Sequence, residues 1–500
     1  MSRSRALKLN MLSTITSELV TLAIGLVLPR LMIVYYGSAC NGLVSSIAQF
    51  LGFSALFRAG IGGAVRASLY KPIAEKDCDS INEVLSATSS YMHKIGACVA
   101  AYVAIFALIY PFLVIDEYDW FFSFSLVVIM GFTAFADNFW GIKYKILLQA
   151  DQKFYVEISS ALVTNALSGI VAIVLIVNGS PIHLVKIATV SVYLINPLFL
   201  SLYVKKHYVV NWKFPAKADV IKNRWNAFFQ QLASIFNQNV ALVLLTVLQP
   251  LKEISVYAVH YMVVSNIGKV VNSCVSGINS TYGDMIAKKE SDNLRKKFFF
   301  TEWMLYSVSV TFFAVTSVML PSFVAIYTRS VKDVEYVRPA FALIMVVVTL
   351  FLSIRIPYQM LVEAAGKFKE TRNGAILEVI INVISSIMFI KIFGLIGVLY
   401  GALLSGIIRT VEYAFYAVSK ILNVSPMHIL KHFFIVVSTF LLCIKVGSMV
   451  IFTDINNFFI WSLNSLIVSL MTCCIVLGVS VVFFRESFFY FINRLKKGKK

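Results

Sequence analysis

LLQADQKFYVEI (147–158) recurs as LVEAAGKFKETR (361–372), and the position of these two copies decides how the chain is organised. Ala150 matches Ala364, Lys153 matches Lys367 and Phe154 matches Phe368, at an offset of 214 residues. Each copy follows a long apolar run. A run of about 20 apolar residues crosses the roughly 30 Å of a bilayer's hydrocarbon core. On that scale the sequence predicts fourteen spans, near 11–35, 43–65, 93–115, 121–143, 157–178, 184–204, 226–249, 254–284, 298–327, 339–363, 374–392, 396–418, 432–452 and 458–484. The fourth span leads into the first copy and the tenth into the second. The same offset carries span one onto span seven and span two onto span eight. The expected fold is therefore an all-α polytopic membrane protein with two pseudo-symmetric six-helix lobes and two C-terminal helices. Its parts are an N-terminal lobe (1–204), a cytoplasmic linker (205–225), a C-terminal lobe (226–420), helices thirteen and fourteen (421–484) and a basic tail (485–500). Such repeats are usual in secondary transporters, which hold substrate between their halves.

Composition agrees. Of the 500 residues 59% are hydrophobic and 14% charged, with a mean hydropathy of +0.81. Soluble chains are about 45–50% apolar and about 25% charged. Lys and Arg alternate between the two sides of the predicted spans. Segments on one side hold only Lys252, Arg329, Lys332, Arg338 and Lys391, whereas the other side holds most of the 44. Cytoplasmic loops collect such residues, so both termini are expected inside, in a bacterial inner membrane. That rule also accounts for the net charge of +19. No nucleic-acid motif accompanies the charge. The seven cysteines have no CxxC spacing and the six histidines no metal spacing. No Walker, GxSxG or HExxH motif is present, and the outer segments are too short for a catalytic domain. The expectation is a transporter rather than an enzyme.

Charges within spans are costly, about 2.5–3.5 kcal/mol each on insertion scales, and mark protein-facing or wet positions. The candidates are Glu18 and Arg30 in span one, Arg58 in span two, Asp137 in span four, Lys269 in span eight, Arg355 in span ten, and Arg409 with Glu412 in span twelve. Arg58 sits in FRAGIGGAVRA, where Gly60, Gly62 and Gly63 permit close helix approach or a local break. The repeat places Lys269 opposite Ala55, one turn from Arg58, so two pseudo-equivalent spans each present a cation suited to an anion. Glu18 and Asp137 are candidates for proton or sodium coupling, or counter-ions to the arginines. No other cofactor is expected. Gln231, Asn237 and Asn239 mark span seven as a polar cavity wall. Arg409 and Glu412, at i,i+3, read as a locally neutral pair.

The run LPRLMIVYYGSACNGLVSSIAQFLGFSALFRAGIGGAVRASLYKPIAEKD (28–77) resembles the amino-terminal segment of bacterial polysaccharide flippases of the Wzx type. These belong to the superfamily of multidrug and toxin extrusion exporters and peptidoglycan-precursor flippases. The turn YGSACNG (36–42) and the A-x-x-K-F loops after spans four and ten are similar to that family's pattern. The resemblance implies alternating access in a two-lobed cavity. It also implies a substrate, undecaprenyl-diphosphate-linked oligosaccharide for surface polysaccharide such as the O-antigen of lipopolysaccharide. By the same resemblance Arg30 and Arg58 match cavity arginines, and Lys269 falls where an arginine is carried. The partners implied are membrane lipids, a polysaccharide polymerase and a chain-length regulator, around a monomer. A cation-coupled multidrug exporter of the same fold is the alternative.

Overall fold

The computed structural model describes residues 3–59, 61–211, 214, 225–275, 278–450 and 455–497. Among them every regular element is helical. The first half comprises α1 (Arg3–Gly52), α2 (Ile61–Glu75), α3 (Cys78–Leu113), α4 (Trp120–Ala136), α5 (Ile142–Ala150), α6 (Phe154–Val177), α7 (Ile182–Tyr193), α8 (Ile195–His207) and α9 (Trp225–Leu248). The second comprises α10 (Leu251–Ser273), α11 (Ile278–Ala287), α12 (Ser291–Tyr327), α13 (Pro339–Ala364), α14 (Phe368–Phe393), α15 (Gly397–Phe415), α16 (Met427–Met449), α17 (Phe458–Phe483) and α18 (Arg485–Lys497).

Eleven helical stretches among the described residues are long and apolar enough to cross a membrane. Two are too long for one crossing. The 50 residues of α1 would extend about 75 Å as a straight helix. Gly37 breaks it at φ 83, ψ 168, a setting that essentially only glycine accepts. The turn at YGSACNG is thus built on its glycine. The other stretch, Phe368–Ile421, has 54 residues and bends between α14 and α15, where Gly394 has φ 64.

Spans two and eight, expected over 43–65 and 254–284, are both broken, the first at the glycines that permit it. In the first, a 3-10 segment, Phe53–Arg58, follows α1, and Ala59 leaves helical geometry at ψ 133 before α2 begins. In the second, α10 stops at Ser273 and α11 starts at Ile278. Glycine and serine, poor helix formers, concentrate at both places: Gly60, Gly62 and Gly63 in one, Ser273, Ser276 and Gly277 in the other. The two breaks are themselves 214 residues apart, Ala59 against Ser273.

The repeat extends to the turns. Left-handed residues occur in matching pairs: Lys76 with Lys289, Gln152 with Gly366, and Gly179 with Gly394. In the motif quoted first, the amide of Lys153 donates to the Leu148 carbonyl at 2.9 Å. The amide of Lys367 donates to Val362 at 3.1 Å. Both are the six-to-one bond of a helix-ending motif built on a left-handed residue. The next helices begin at Phe154 and Phe368.

The chain divides into two compact units, Met1–Ser255 and Val256–Lys500. The division falls beyond the expected 205–225 linker, most of which lies outside the described residues. The reason is that α9 packs on α1. Ser46 Oγ and Thr246 Oγ1 are 2.7 Å apart, and Asn41 Nδ2 donates to Ser255 Oγ at 2.7 Å. In the first unit α1 packs on α6, α3 on α4, α2 on α5 and α6 on α7. In the second, α12 packs on α13, α11 on α13 and α14 on α15, while α16 and α17 lie on α12.

Candidate functional site

The first unit gathers a cationic cluster around Asp137. The helical stretch Trp120–Ala150 is continuous but opens into a π-helical turn at Asp137–Gly141. A π turn inserts an extra residue and re-aims its side chains, a device frequent at functional sites. Gly141 leaves room beside the carboxylate: a Cβ there would stand 3.1 Å from Asp137 Oδ1. Arg58 is brought in by the break in span two, where it ends the 3-10 segment. Its Nη1 lies 2.7 Å from Asp137 Oδ2, and Lys145 Nζ lies 2.5 Å from Oδ1. Each carboxylate oxygen thus serves a different cation, and one negative charge faces two positive ones. Close by, Arg66 Nη1 donates to Gln149 Oε1 at 2.6 Å, and Gln149 Nε2 donates to Glu157 Oε2 at 2.9 Å. The Arg58 side chain remains 33% exposed, enough to meet a ligand while Lys145 keeps Asp137 compensated.

Asp137 therefore stands as a counter-ion to Arg58. Lys143 ends the expected span four and Lys145 falls just beyond it. Both lie within the helix, because the π turn and α5 prolong it to Ala150. Lys143 is buried and donates to Ser89 Oγ at 3.2 Å.

The other candidates are dispersed. Arg30 and Glu18 are exposed on α1. Lys269 is exposed on α10 in the second unit, donating to Asn266 Oδ1 at 3.2 Å. Asn239 is buried, donating to the Ile235 carbonyl at 2.7 Å. A Cβ on Gly52 would stand 2.6 Å from its Oδ1, so this amide packs against α1. The side chains of Gln231 and Asn237 lie outside the described residues.

Arg355 belongs to a network within the second unit. Its Nη1 is 2.7 Å from Glu378 Oε1. Arg409, buried on α15, has Nε at 3.6 Å from Glu378 Oε2 and Nη1 at 2.7 Å from Glu412 Oε2. It also donates to the Thr371 carbonyl at 2.9 Å and to Tyr413 Oη at 2.8 Å. Two guanidinium groups meet two carboxylates, so the neutral pair expected in span twelve is part of a larger neutral set that joins α13, α14 and α15.

Sequence reasoning passed over two carboxylates that the same signal could have found. Glu378 and Glu302 both fall inside expected spans. Glu302, on α12, is buried against His428 and His432 of α16 and Tyr358 of α13. Arg66 and Lys145 fall just beyond the expected ends of spans two and four, at 65 and 143.

No family model matches the sequence, and no curated protein matches it by sequence. Solved structures do match its fold. One is the lipid II flippase MurJ in an inward closed conformation, with TM-score 0.71 and 17% identity over 96% of this chain and 99% of that one. Another is an inward-facing multidrug resistance MATE transporter of the MOP superfamily, with TM-score 0.63 and 14% identity over 80% of this chain and 94% of that one. A third is the eukaryotic MATE transporter AtDTX14, with TM-score 0.53 and 13% identity over 94% of this chain and 98% of that one. The chain has the multi-pass helical fold shared by the MurJ flippase and the MATE transporters.

Proposed function

We propose that the chain moves undecaprenyl-diphosphate-linked oligosaccharide repeat units from the cytoplasmic to the periplasmic leaflet of a bacterial inner membrane, by alternating access, for surface polysaccharide biosynthesis. The observation that carries this reading is the charge balance around Asp137. Arg58 and Lys145 share Asp137, and with Arg66 and Glu157 beside them three cations meet two carboxylates, so the cluster keeps a positive excess, with Arg58 part exposed. Such a site suits an anion. Guanidinium groups bind phosphate oxygens through charge-assisted hydrogen bonds. The lipid tail of such a substrate can stay in the bilayer while its head group crosses. Lys269 and Arg30, exposed on their helices, are further candidate contacts for the diphosphate. The overlap with a lipid II flippase over nearly the whole of both chains supports the same reading.

The alternative, a cation-coupled multidrug exporter, draws on the MATE-like fold and on the exposed Glu18. One experiment separates the two. The source strain's gene is deleted and replaced by wild type, Arg58→Ala, Lys269→Ala or Glu18→Gln, with membrane levels checked by immunoblot. Under the flippase reading the Arg58 and Lys269 variants reach the membrane but lose surface polysaccharide. Normal polysaccharide in both, or polysaccharide unaffected by the deletion while resistance to cationic dyes depends on Glu18, would overturn it.

A further inference from the structure

A second titratable cluster lies in the other unit, at the junction of α12, α13 and α16. Glu302 is 3% exposed. The Tyr358 hydroxyl donates to its Oε1. His428 Nε2 is 2.8 Å from its Oε2, and His432 Nδ1 is 3.8 Å from its Oε1. The two histidines are one turn apart on α16, with rings 6.2 Å apart and nearly parallel. His432 is sealed, and its Nε2 has no hydrogen-bond partner among the described residues. His428, in the first turn of α16, is 28% exposed. Aromatic rings surround the pair: Phe299 at 4.8 Å from His428, Phe484 at 5.7 Å and Tyr306 at 6.1 Å from His432. Other titratable groups on the elements packed here include Tyr282 on α11, Tyr306 on α12, Lys431 and Cys443 on α16, and Arg485, Glu486 and Tyr490 on α18, which packs on α12. From α17, which packs on α12 and α16, the titratable side chains are Cys473 and Cys474, both exposed.

The charge states of the cluster are constrained. A buried charge without a partner is costly. One carboxylate with two imidazoles is neutral only when it holds one imidazolium. A second proton leaves an uncompensated positive charge between α12 and α16. Loss of the first leaves Glu302 uncompensated. Histidine is the side chain whose ordinary range spans neutral pH, so both transitions are accessible. Nε2–H of His428 is committed to Glu302 when it donates, which leaves Nδ1 to exchange its proton with hydronium or water at the rim.

We propose that Glu302, His428 and His432 form a proton-binding site that links pH to the docking of α16 on α12. His428 is the entry, Glu302 the anion that holds the bound proton, and His432 the sealed second base. The site stands whether or not the chain carries a glycan, and it is separate from Asp137 and Glu18. The full-length protein, reconstituted in phosphatidylglycerol–phosphatidylcholine vesicles, tests it by hydrogen–deuterium exchange of α16 across neutral pH, corrected for intrinsic rates. One linked proton changes an opening equilibrium by at most about tenfold per pH unit. Wild type is expected to show maximal α16 protection at an intermediate pH, falling at least about tenfold on both sides. Glu302→Gln should keep the acid limb and lose the alkaline one, because its neutral amide needs no imidazolium. His428→Gln, at the part-exposed position, should lose the acid limb and keep the alkaline one, because a single imidazole is left to match the carboxylate, and it serves if the Glu302 variant cannot be recovered. Protection of α16 that ignores pH in wild type, or a profile unchanged in either variant, overturns the proposal.

Discussion

A charged side chain inside a span carries little information until its partner is known. Arg58 and Arg409 are both guanidinium groups in apolar runs, and the sequence sets only Arg409 beside a carboxylate, Glu412 at i,i+3. The structure separates them further: Arg58 is part exposed and shares Asp137 with Lys145, whereas Arg409 is buried with both Nη atoms hydrogen-bonded and its Nε 3.6 Å from Glu378. Their variants should therefore differ. Arg58→Ala leaves Asp137 paired with Lys145, so the protein should unfold within a few degrees of wild type in detergent while transport is lost. Arg409→Ala leaves the buried Glu378 with Arg355 alone and takes from the part-exposed Glu412 its arginine partner. Breaking a buried ionic set costs about 3–5 kcal/mol, so this variant should unfold markedly earlier in the same thermal assay. Equal melting points would remove the distinction between a binding arginine and a structural one. Asp137→Asn adds a check on the first cluster. It strands two cations, and should destabilise more than Arg58→Ala, which strands none.

The elements were largely legible because bilayer thickness sets their length. The apolar runs, the turn at Gly37 and the repeated K-F start of α6 and α14 all followed from sequence. The breaks in spans two and eight were only half legible. The glycines permitted a break, but a hydropathy window averages across it. The π turn at Asp137–Gly141 left no trace in the sequence, and that hid Lys145 inside a helix rather than after it. The histidine spacing of HILKH (428–432) was visible, whereas its carboxylate, 126 residues away, becomes a neighbour only through the packing of α16 on α12. Local geometry near the repeat gives a mirrored prediction. Gln152 and Gly366 occupy equivalent left-handed positions, at φ 60 and φ 67. A side chain at such a position costs about 1–2 kcal/mol. Gln152→Gly should therefore raise the melting temperature and Gly366→Ala should lower it. Shifts of the same sign would mean that the two turns are not equivalent. At the head of α3, hydrogen bonds from the Ser80 hydroxyl and amide hold the exposed Asp77 carboxyl below its ordinary value. That small contribution to stability is present above the ordinary carboxylate range and is lost as pH falls through the lowered one.

At the scale of the molecule, the backbone repeats but the chemistry does not. At the 214-residue offset Asp137 falls on Phe351, Lys145 on Gln359 and Glu302 on Thr88. Turns and helix pairings have been kept in both halves, while the cationic cluster lies in one unit and the carboxylate–imidazole cluster in the other. Under the two proposals, the repeats share a scaffold, and one carries the anion site while the other carries the proton-binding site. The scaffold itself makes a prediction about the membrane. The six spans that the sequence predicts for each repeat would return the chain to its starting side, so positions about 214 apart should lie on the same side of the bilayer. The Lys and Arg pattern says which side, since cytoplasmic segments collect them. Lys206 and Lys369 should then be inside, and Asn178 and Lys391 outside. Each of the four is replaced by cysteine in a background lacking the seven native ones, and labelled with a membrane-impermeant maleimide. In intact spheroplasts the Asn178 and Lys391 variants should react, and the other two only after permeabilisation. If Asn178 and Lys391 reacted on opposite sides, an odd number of spans would separate them and the two-repeat architecture would fall.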